Sequence, residues 1–123
     1  MFWIDGLSRQ PVYEQIIAQT EKFLLTSSLK AGDQMPSVRS LATTLSINPN
    51  TIQKAYNDLD RRGLIQTVPG KGCFITENAY NILCKEKKQS LQELDSLVKE
   101  LTLVGITKEE LIAHIEELLS KGV

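Results

Sequence analysis

A mainly α-helical fold with one small β hairpin and a helical tail is what this sequence predicts. Three observations carry that expectation. Apolar residues recur at helical spacing through most of the 123 residues. Two short segments of strand character flank the glycine turn "PGKG" at residues 69–72. Beyond residue 77 the apolar residues Leu91, Leu94, Val98 and Leu101 follow one another at spacings of 3, 4 and 3, the seam of a packed helix pair. The expected division is a front domain over residues 1–77 and a helical tail over 78–123.

The first helix is expected over "PVYEQIIAQTEKFLLTSSL", residues 11–29. Val12, Ile16, Ile17, Phe23 and Leu24 can share one broad face, with Glu14, Gln15, Gln19, Glu21 and Lys22 covering the rest. Pro11 suits the first helical position, where a missing N–H costs nothing. "KAGDQMP" then breaks the pattern with Gly32, Asp33 and Pro36. "SVRSLATTL" reads as a short second helix capped by Ser37, burying Val38, Leu41, Ala42 and Leu45. After the turn "SIN", Asn48 caps a third helix and Pro49 opens it. Ile52, Ala55, Tyr56 and Leu59 are its inner stripe, and Gly63 ends it as a left-handed cap. "LIQTV" and "CFITE" are the hairpin strands, with Gly70 and Gly72 supplying the backbone freedom of the turn. Two short helices joined by a tight turn and followed by a hairpin make a winged helix-turn-helix. None of the three helices is long enough to stand alone, so all must share one core.

The tail reads as one helix from about Asn78 to Val104, stopped by Gly105, and a last helix opened by the Thr107–Glu110 capping box. Leu111, Ile112, Ile115, Leu118 and Leu119 are apolar on that last helix. The two tail helices cannot satisfy all their apolar residues against each other. A two-fold partner would bury Leu91, Leu94, Val98, Leu101, Leu111, Ile115 and Leu118. Phe2, Trp3 and Ile4 either join that interface or cover the first helix, and packing is preferred to a ligand role for Trp3.

Composition sets outer limits. Apolar content of 41% and charged content of 24% are those of an ordinary soluble protein. No apolar run is long enough to span a bilayer, so no membrane partner is expected. "MFWIDGLSRQ" lacks the basic-then-apolar pattern of a secretory signal. Cys73 and Cys84 have no CxxC spacing, and free thiols in a cytoplasmic protein are the plain reading. The net charge is −1, which by itself argues against a nucleic-acid partner. Charge is unevenly placed, however. Pro36 to Gly72 holds Arg39, Lys54, Arg61, Arg62 and Lys71 against Asp58 and Asp60, a net of +3, whereas from Ala79 onward six lysines meet eight acids, a net of −2. A basic front and an acidic rear fit a chain whose front alone meets phosphate.

The third helix opens with more hydrogen-bonding side chains than packing requires. A helix entering the major groove presents its first turns to base edges, where amides pair with adenine and hydroxyls with several bases. Asn50, Thr51 and Gln53 are placed for that role. Asn48 is read first as a cap, with a phosphate contact in addition. Ser37 and Arg39 stand at the start of the second helix, where such domains touch the DNA backbone, Lys54 is a further phosphate contact, and Lys71 at the wing tip can reach phosphate or the minor groove. Arg61 and Arg62 are read as a solvated face and Tyr56 as core. No nucleophile–base pair is visible, so no catalytic residue is assigned. His114 with Glu110, Glu117 or Cys84 lacks a diagnostic ligand spacing, and no metal or cofactor is assigned.

The stretch "MPSVRSLATTLSINPNTIQKAYNDLDRRGLIQTVPGKGCFI" resembles the DNA-binding domain of the GntR family of bacterial transcription regulators, which reads roughly LPS-x-R-x-LA-x-x-L, T-V, L-x-x-x-GL and G-x-G-x-x-V. "NPNTIQKAY", "QPVYEQI" and the short tail point to the YtrA-like subfamily. The resemblance is strong over residues 11–76, and the tail matches mainly in length and in "GITKEELI". It implies a homodimeric repressor on a palindromic operator. The family's DNA-contacting positions fall on Arg39, on Asn48, Asn50, Thr51 and Gln53, and on Gly70, Lys71 and Gly72 of the wing. Many members carry arginines where this chain has Pro49 and Gln53, which leaves the operator sequence open. About 45 residues follow the wing, too few for an enclosed effector pocket of ordinary size. The resemblance implies instead a two-helix dimerisation tail, and targets that are often neighbouring transporter operons. A winged-helix protein-interaction module without operator binding is the competing expectation. A small-molecule effector is compatible with the first reading, but no ligand residue is named for it.

Overall fold

The computed structural model of the chain describes residues 1–122. Along them run α1 Val12–Leu25, β1 Gln34–Met35, α2 Val38–Leu45, α3 Pro49–Arg61, β2 Ile65–Val68, β3 Gly72–Ile75, α4 Ala79–Gln89, α5 Leu91–Leu103 and α6 Lys108–Ser120. The strands form one antiparallel sheet in the order β1-β3-β2. Met1–Glu86 forms one compact unit and Lys87–Val123 a second.

In the first unit, α1 packs on α3 and α2 packs on α3. Ile16, Leu24, Met35, Ile52, Leu59, Leu64, Ile75 and Leu83 are fully buried. Each such side chain contributes about 1.5–3 kcal/mol by leaving water. The buried stripe of α3 is Ile52, Ala55, Tyr56 and Leu59, as its spacing predicts. Gly63 follows α3 with φ +82, where a residue with a Cβ would be strained.

Several local expectations are corrected. Pro11 precedes α1 rather than opening it, because its ψ of 150° is extended. The helix stops at Leu25, not Leu29. Ser27 turns left-handed with φ 60, and the Leu29 N–H returns to the Phe23 carbonyl at 3.0 Å. Gln15, expected on the outer face, is buried. Its Oε1 accepts from the Asp5 N–H at 2.9 Å, and its Nε2 donates to the Asp5 and Gln10 carbonyls at 3.2 and 2.9 Å. Gln19 likewise accepts from the Trp3 N–H at 3.1 Å and donates to the Trp3 carbonyl at 2.6 Å. These amides hold the N-terminal arm along α1, so Phe2 stacks edge-on against Phe23 with ring centroids 5.3 Å apart. The Trp3 indole remains exposed.

The "KAGDQMP" turn also contains a strand. Gln34 pairs with Phe74 and Met35 with Cys73. The Gly32 N–H donates to the Ile75 carbonyl at 2.9 Å and the Ile75 N–H to the Asp33 carbonyl at 2.8 Å. Two residues are too short to show a period of two in the sequence.

The single helix expected from Asn78 to Val104 is two helices, α4 and α5, interrupted at Ser90. The Ser90 N–H bonds to the Lys87 carbonyl at 3.0 Å and the Glu93 N–H to the Ser90 carbonyl at 2.9 Å. These are the shorter-range bonds of a tight turn. Residues 85–90 are all polar, so no buried stripe carries the helix through. α4 buries Ala79 and Leu83 in the first unit's core. In the second unit, Gly105 (φ +94) ends α5 and the Thr107–Glu110 capping box opens α6. Neither α5 nor α6 has a buried residue among those described.

Candidate nucleic-acid interface

α2 and α3 are placed by their caps. Ser37 Oγ accepts from the Ser40 N–H at 3.0 Å, and Arg39 is exposed in the first turn of α2. Between the helices Ser46 takes a left-handed conformation, φ 56 and ψ 44, and its N–H bonds to carbonyls at the end of α2. Asn48 Oδ1 accepts from the Asn50 N–H at 2.8 Å, which leaves its amide N–H₂ for other partners. Tyr56 donates its hydroxyl to the Pro36 carbonyl at 2.6 Å, tying α3 to the residue before the α2 cap. Burial pushes the Tyr56 phenol above its ordinary value, with a smaller contribution from Cys73.

The outer face of α3 follows. Asn50, Gln53 and Lys54 are exposed and Thr51 is half-buried, with Ile52 and Ala55 fully buried behind them. The Gln53 Nε2 donates to Asn57 Oδ1 at 2.8 Å, one turn on. Asn57 is not among the contacts expected from the sequence, although its i+4 spacing from Gln53 is a readable signal. Lys54 Nζ lies 3.9 Å from the centroid of the Tyr13 ring on α1. Tyr13 carried no sequence signal for this contact, which depends on how α1 and α3 pack. Tyr13, Asn50, Gln53, Lys54, Asn57 and Arg61 line a shallow groove of about 430 Å³. Arg61 remains on the solvated face, paired with Asp58 at 2.6 Å.

The wing is anchored at its tip. The Lys71 N–H closes the turn on the Val68 carbonyl at 2.9 Å. Gln34 Nε2 donates to the Lys71 carbonyl at 3.1 Å. Gly72 has φ +120, and a Cβ there would meet Gln34 Nε2 at 2.6 Å. Lys71 itself is exposed. Between wing and helices, Ser37, Gln53, Asn57, Thr67, Gly72 and Cys73 line a second groove of about 250 Å³. Burial raises the Cys73 thiol above its ordinary value, and Asp60 adds to the shift.

Ser37, Asn50, Gln53, Asn57 and Gly72 thus meet along the two grooves, with Lys54 in the groove beside α1. Arg39 and Asn48 lie at the exposed helix starts, and Lys71 at the wing tip. Arg62, expected in solvent, is instead half-buried among three carboxylates. In the tail, Leu91, Leu94, Ile115 and Leu118 are exposed, whereas Val98, Leu101 and Leu111 are half-buried. Among the described residues no group of three His, Cys, Asp or Glu is gathered to hold a metal ion. No helix there is long and apolar enough to cross a membrane.

Residues 12–75 match the family described as bacterial regulatory proteins, gntR family. Over 119 residues the chain is 42% identical to the HTH-type transcriptional repressor YtrA of Bacillus subtilis (strain 168), spanning 96% of this chain and 92% of that protein. Its fold is similar to a solved GntR family transcriptional regulator from Listeria monocytogenes, with a TM-score of 0.73, 36% identity, and coverage of 93% of this chain and 98% of that one. At the level of fold alone it is similar to the DNA-binding domain of AraR in complex with operator ORX1. That match has a TM-score of 0.55 and 24% identity, and covers 62% of this chain and 96% of that one. The mainly helical winged helix-turn-helix read from the sequence, and the resemblance drawn from its motifs, both stand.

Proposed function

The chain belongs to the GntR family of bacterial regulatory proteins, and from that membership we propose that it is a cytoplasmic homodimeric repressor acting on a palindromic operator in double-stranded DNA. Residues 1–77 are the DNA-binding part and 78–123 the dimerising part, which opens with α4, packed by Ala79 and Leu83 into the core of the first unit. The observation that carries this reading is the division of α3 into a fully buried stripe of Ile52, Ala55 and Leu59 and an exposed amide-rich face with Asn50 and Gln53. A helix that only packed would not need amides there. Asn50, Thr51 and Gln53 read base edges, while Ser37, Arg39, Asn48, Lys54 and the wing Gly70-Lys71-Gly72 engage the backbone. Leu91, Leu94, Val98, Leu101, Leu111, Ile115 and Leu118 form the dimer seam, which sets two α3 helices one DNA turn, about 34 Å, apart. The subfamily resemblance supports a neighbouring transporter operon as the target.

Selection of bound duplexes from a random pool tests the reading. The expected product is a palindrome whose log affinity falls against log salt by about 0.9 per phosphate neutralised. A pool that yields no enriched sequence, or an affinity indifferent to salt, overturns it. The net charge of −1 favours one rival reading, a winged-helix module that docks proteins, and the failed selection is the outcome that would support it.

A further inference from the structure

The C-terminal end of α3 carries a charge cluster that is not among the operator contacts proposed above. Arg62 caps α3, and its side chain is only 20% exposed. Its Nη2 donates to Glu21 Oε2 on α1 at 2.6 Å and to Glu86 Oε1 on α4 at 2.9 Å. Nε reaches Glu86 Oε2 at 3.2 Å, and Nη1 reaches Asp58 Oδ2 at 3.3 Å. Glu86 is therefore gripped by two nitrogens of one planar fork, which a lysine cannot reproduce. Burial opposes the guanidinium charge, but hydrogen bonds to Glu86 and Glu21 outweigh it and hold Arg62 above its ordinary value.

The place of Glu86 matters more than the strength of the pair. Ala79 and Leu83 seat the first two turns of α4 in the core. Glu86 follows Leu83 by one turn and is the last residue of the first compact unit. From there the same helix runs on to Gln89, ahead of α5. An α-helix is stiff, so whatever fixes its last anchored turn fixes the course of α4 as far as Gln89, ahead of the turn at Ser90.

We infer that the Arg62–Glu86 pair is a positioning device for operator geometry: it locks the exit of α4 to the end of α3, and so determines which half-site spacing the dimer accepts. This rests on the homodimer reading above. Half-site spacing is a geometric consequence of how firmly each recognition helix is tied to the element that leads to its partner. With the tie cut, α3 keeps its amides and its core, but the two recognition helices lose their fixed separation. Electrostatics alone gives a different result. Removing a carboxylate removes repulsion from phosphate, which strengthens binding at every spacing alike.

Operator duplexes whose spacer is lengthened or shortened by one or two base pairs separate these outcomes, using the full chain. Glu86→Gln and Glu21→Gln each remove one negative charge from the same guanidinium, but only Glu86 lies on α4. Glu86→Gln is expected to flatten the spacing profile, lowering the ratio between preferred and neighbouring spacings roughly two- to tenfold, the scale of one side-chain coupling. Glu21→Gln is expected to keep the wild-type ratio. Arg62→Lys keeps the charge but loses the fork, and is expected to flatten the profile as Glu86→Gln does. The inference is overturned if Glu86→Gln leaves the ratio unchanged, if both glutamate variants change it equally, or if Arg62→Lys retains it. A wild-type chain with no spacing preference at all would bring down the homodimer reading, and this inference with it.

Discussion

The ammonium of Lys54 stands 3.9 Å from the centre of the Tyr13 ring, so the one basic side chain in the first two turns of α3 is held against α1. A cation over a ring at an exposed site contributes about 0.5–1 kcal/mol. Lys54→Ala is therefore expected to lower stability by about that amount in urea unfolding. It should also reduce the slope of log affinity against log salt by about 0.9, one phosphate contact. Tyr13→Phe keeps the ring and loses only a 3.3 Å hydrogen bond to Glu14. It should leave both quantities near wild type. A changed slope in Tyr13→Phe would mean that the hydroxyl bond to Glu14, and not the ring alone, holds Lys54 at its phosphate.

Gln53 and Lys71 should fail differently. The Gln53 amide is steadied by Asn57 Oδ1 at 2.8 Å and faces outward from a buried stripe. Gln53→Ala is expected to relax base preference at one operator position, at a cost of about 1–3 kcal/mol there. Lys71 is exposed at the wing tip, and in the reading above it meets the DNA backbone as a charge. Lys71→Ala should weaken all sequences about equally. Competition with single-base operator variants distinguishes the two, and the same uniform loss for both would contradict the division between reading and positioning.

What the sequence made legible was local, and what it hid was tertiary. The caps of α2 and α3, Gly63, the wing turn and the Thr107–Glu110 box all declare themselves through residues a few positions apart. Arg62 did not, because its partners Glu21 and Glu86 lie 41 and 24 residues away, and a charged residue on a polar helix end looks solvated until the helices are packed. Gln15 was misplaced for a related reason. A buried amide is favourable only with its partners in place, and those belong to the Asp5–Gln10 arm, which has no periodicity of its own. The break at Ser90 has no signal of its own, because residues 85–90 are uniformly polar and carry no periodicity on which a helix end could show.

Tyr56 links stability to alkaline pH. Its hydroxyl is bonded to the Pro36 carbonyl at 2.6 Å, and burial raises its pKa. A tyrosine unfolds to an ordinary value of about 10, so the folded chain holds this proton more tightly than the unfolded chain does. The contribution is complete below pH ~10 and is lost as pH rises beyond it. Tyr56→Phe is expected to cost about 0.5–1.5 kcal/mol at neutral pH and to show a shallower fall in stability above pH ~10 than the wild type. Urea unfolding at neutral and alkaline pH measures both. An equal or steeper alkaline fall in the variant would mean that the phenol ionises as readily folded as unfolded.

The tail should decide whether two recognition helices act together. Leu94 on α5 and Ile115 on α6 are each 41% exposed, and Leu91 is 67% exposed. Neither helix buries any described residue within the single chain. Apolar rows of this kind gain about 25 cal/mol for each Å² they remove from water, and a second copy offers the matching rows. A carboxylate placed in such a seam must either be desolvated or hold the copies apart. Leu94→Glu and Ile115→Glu are therefore expected to sediment as monomers, with the first unit's core residues untouched. Losing the second half-site from the same particle should then weaken operator binding by about 10²–10⁴, while binding to an isolated half-site stays at the wild-type level. Variants that remain dimeric and keep full operator affinity would remove Leu94 and Ile115 from the interface.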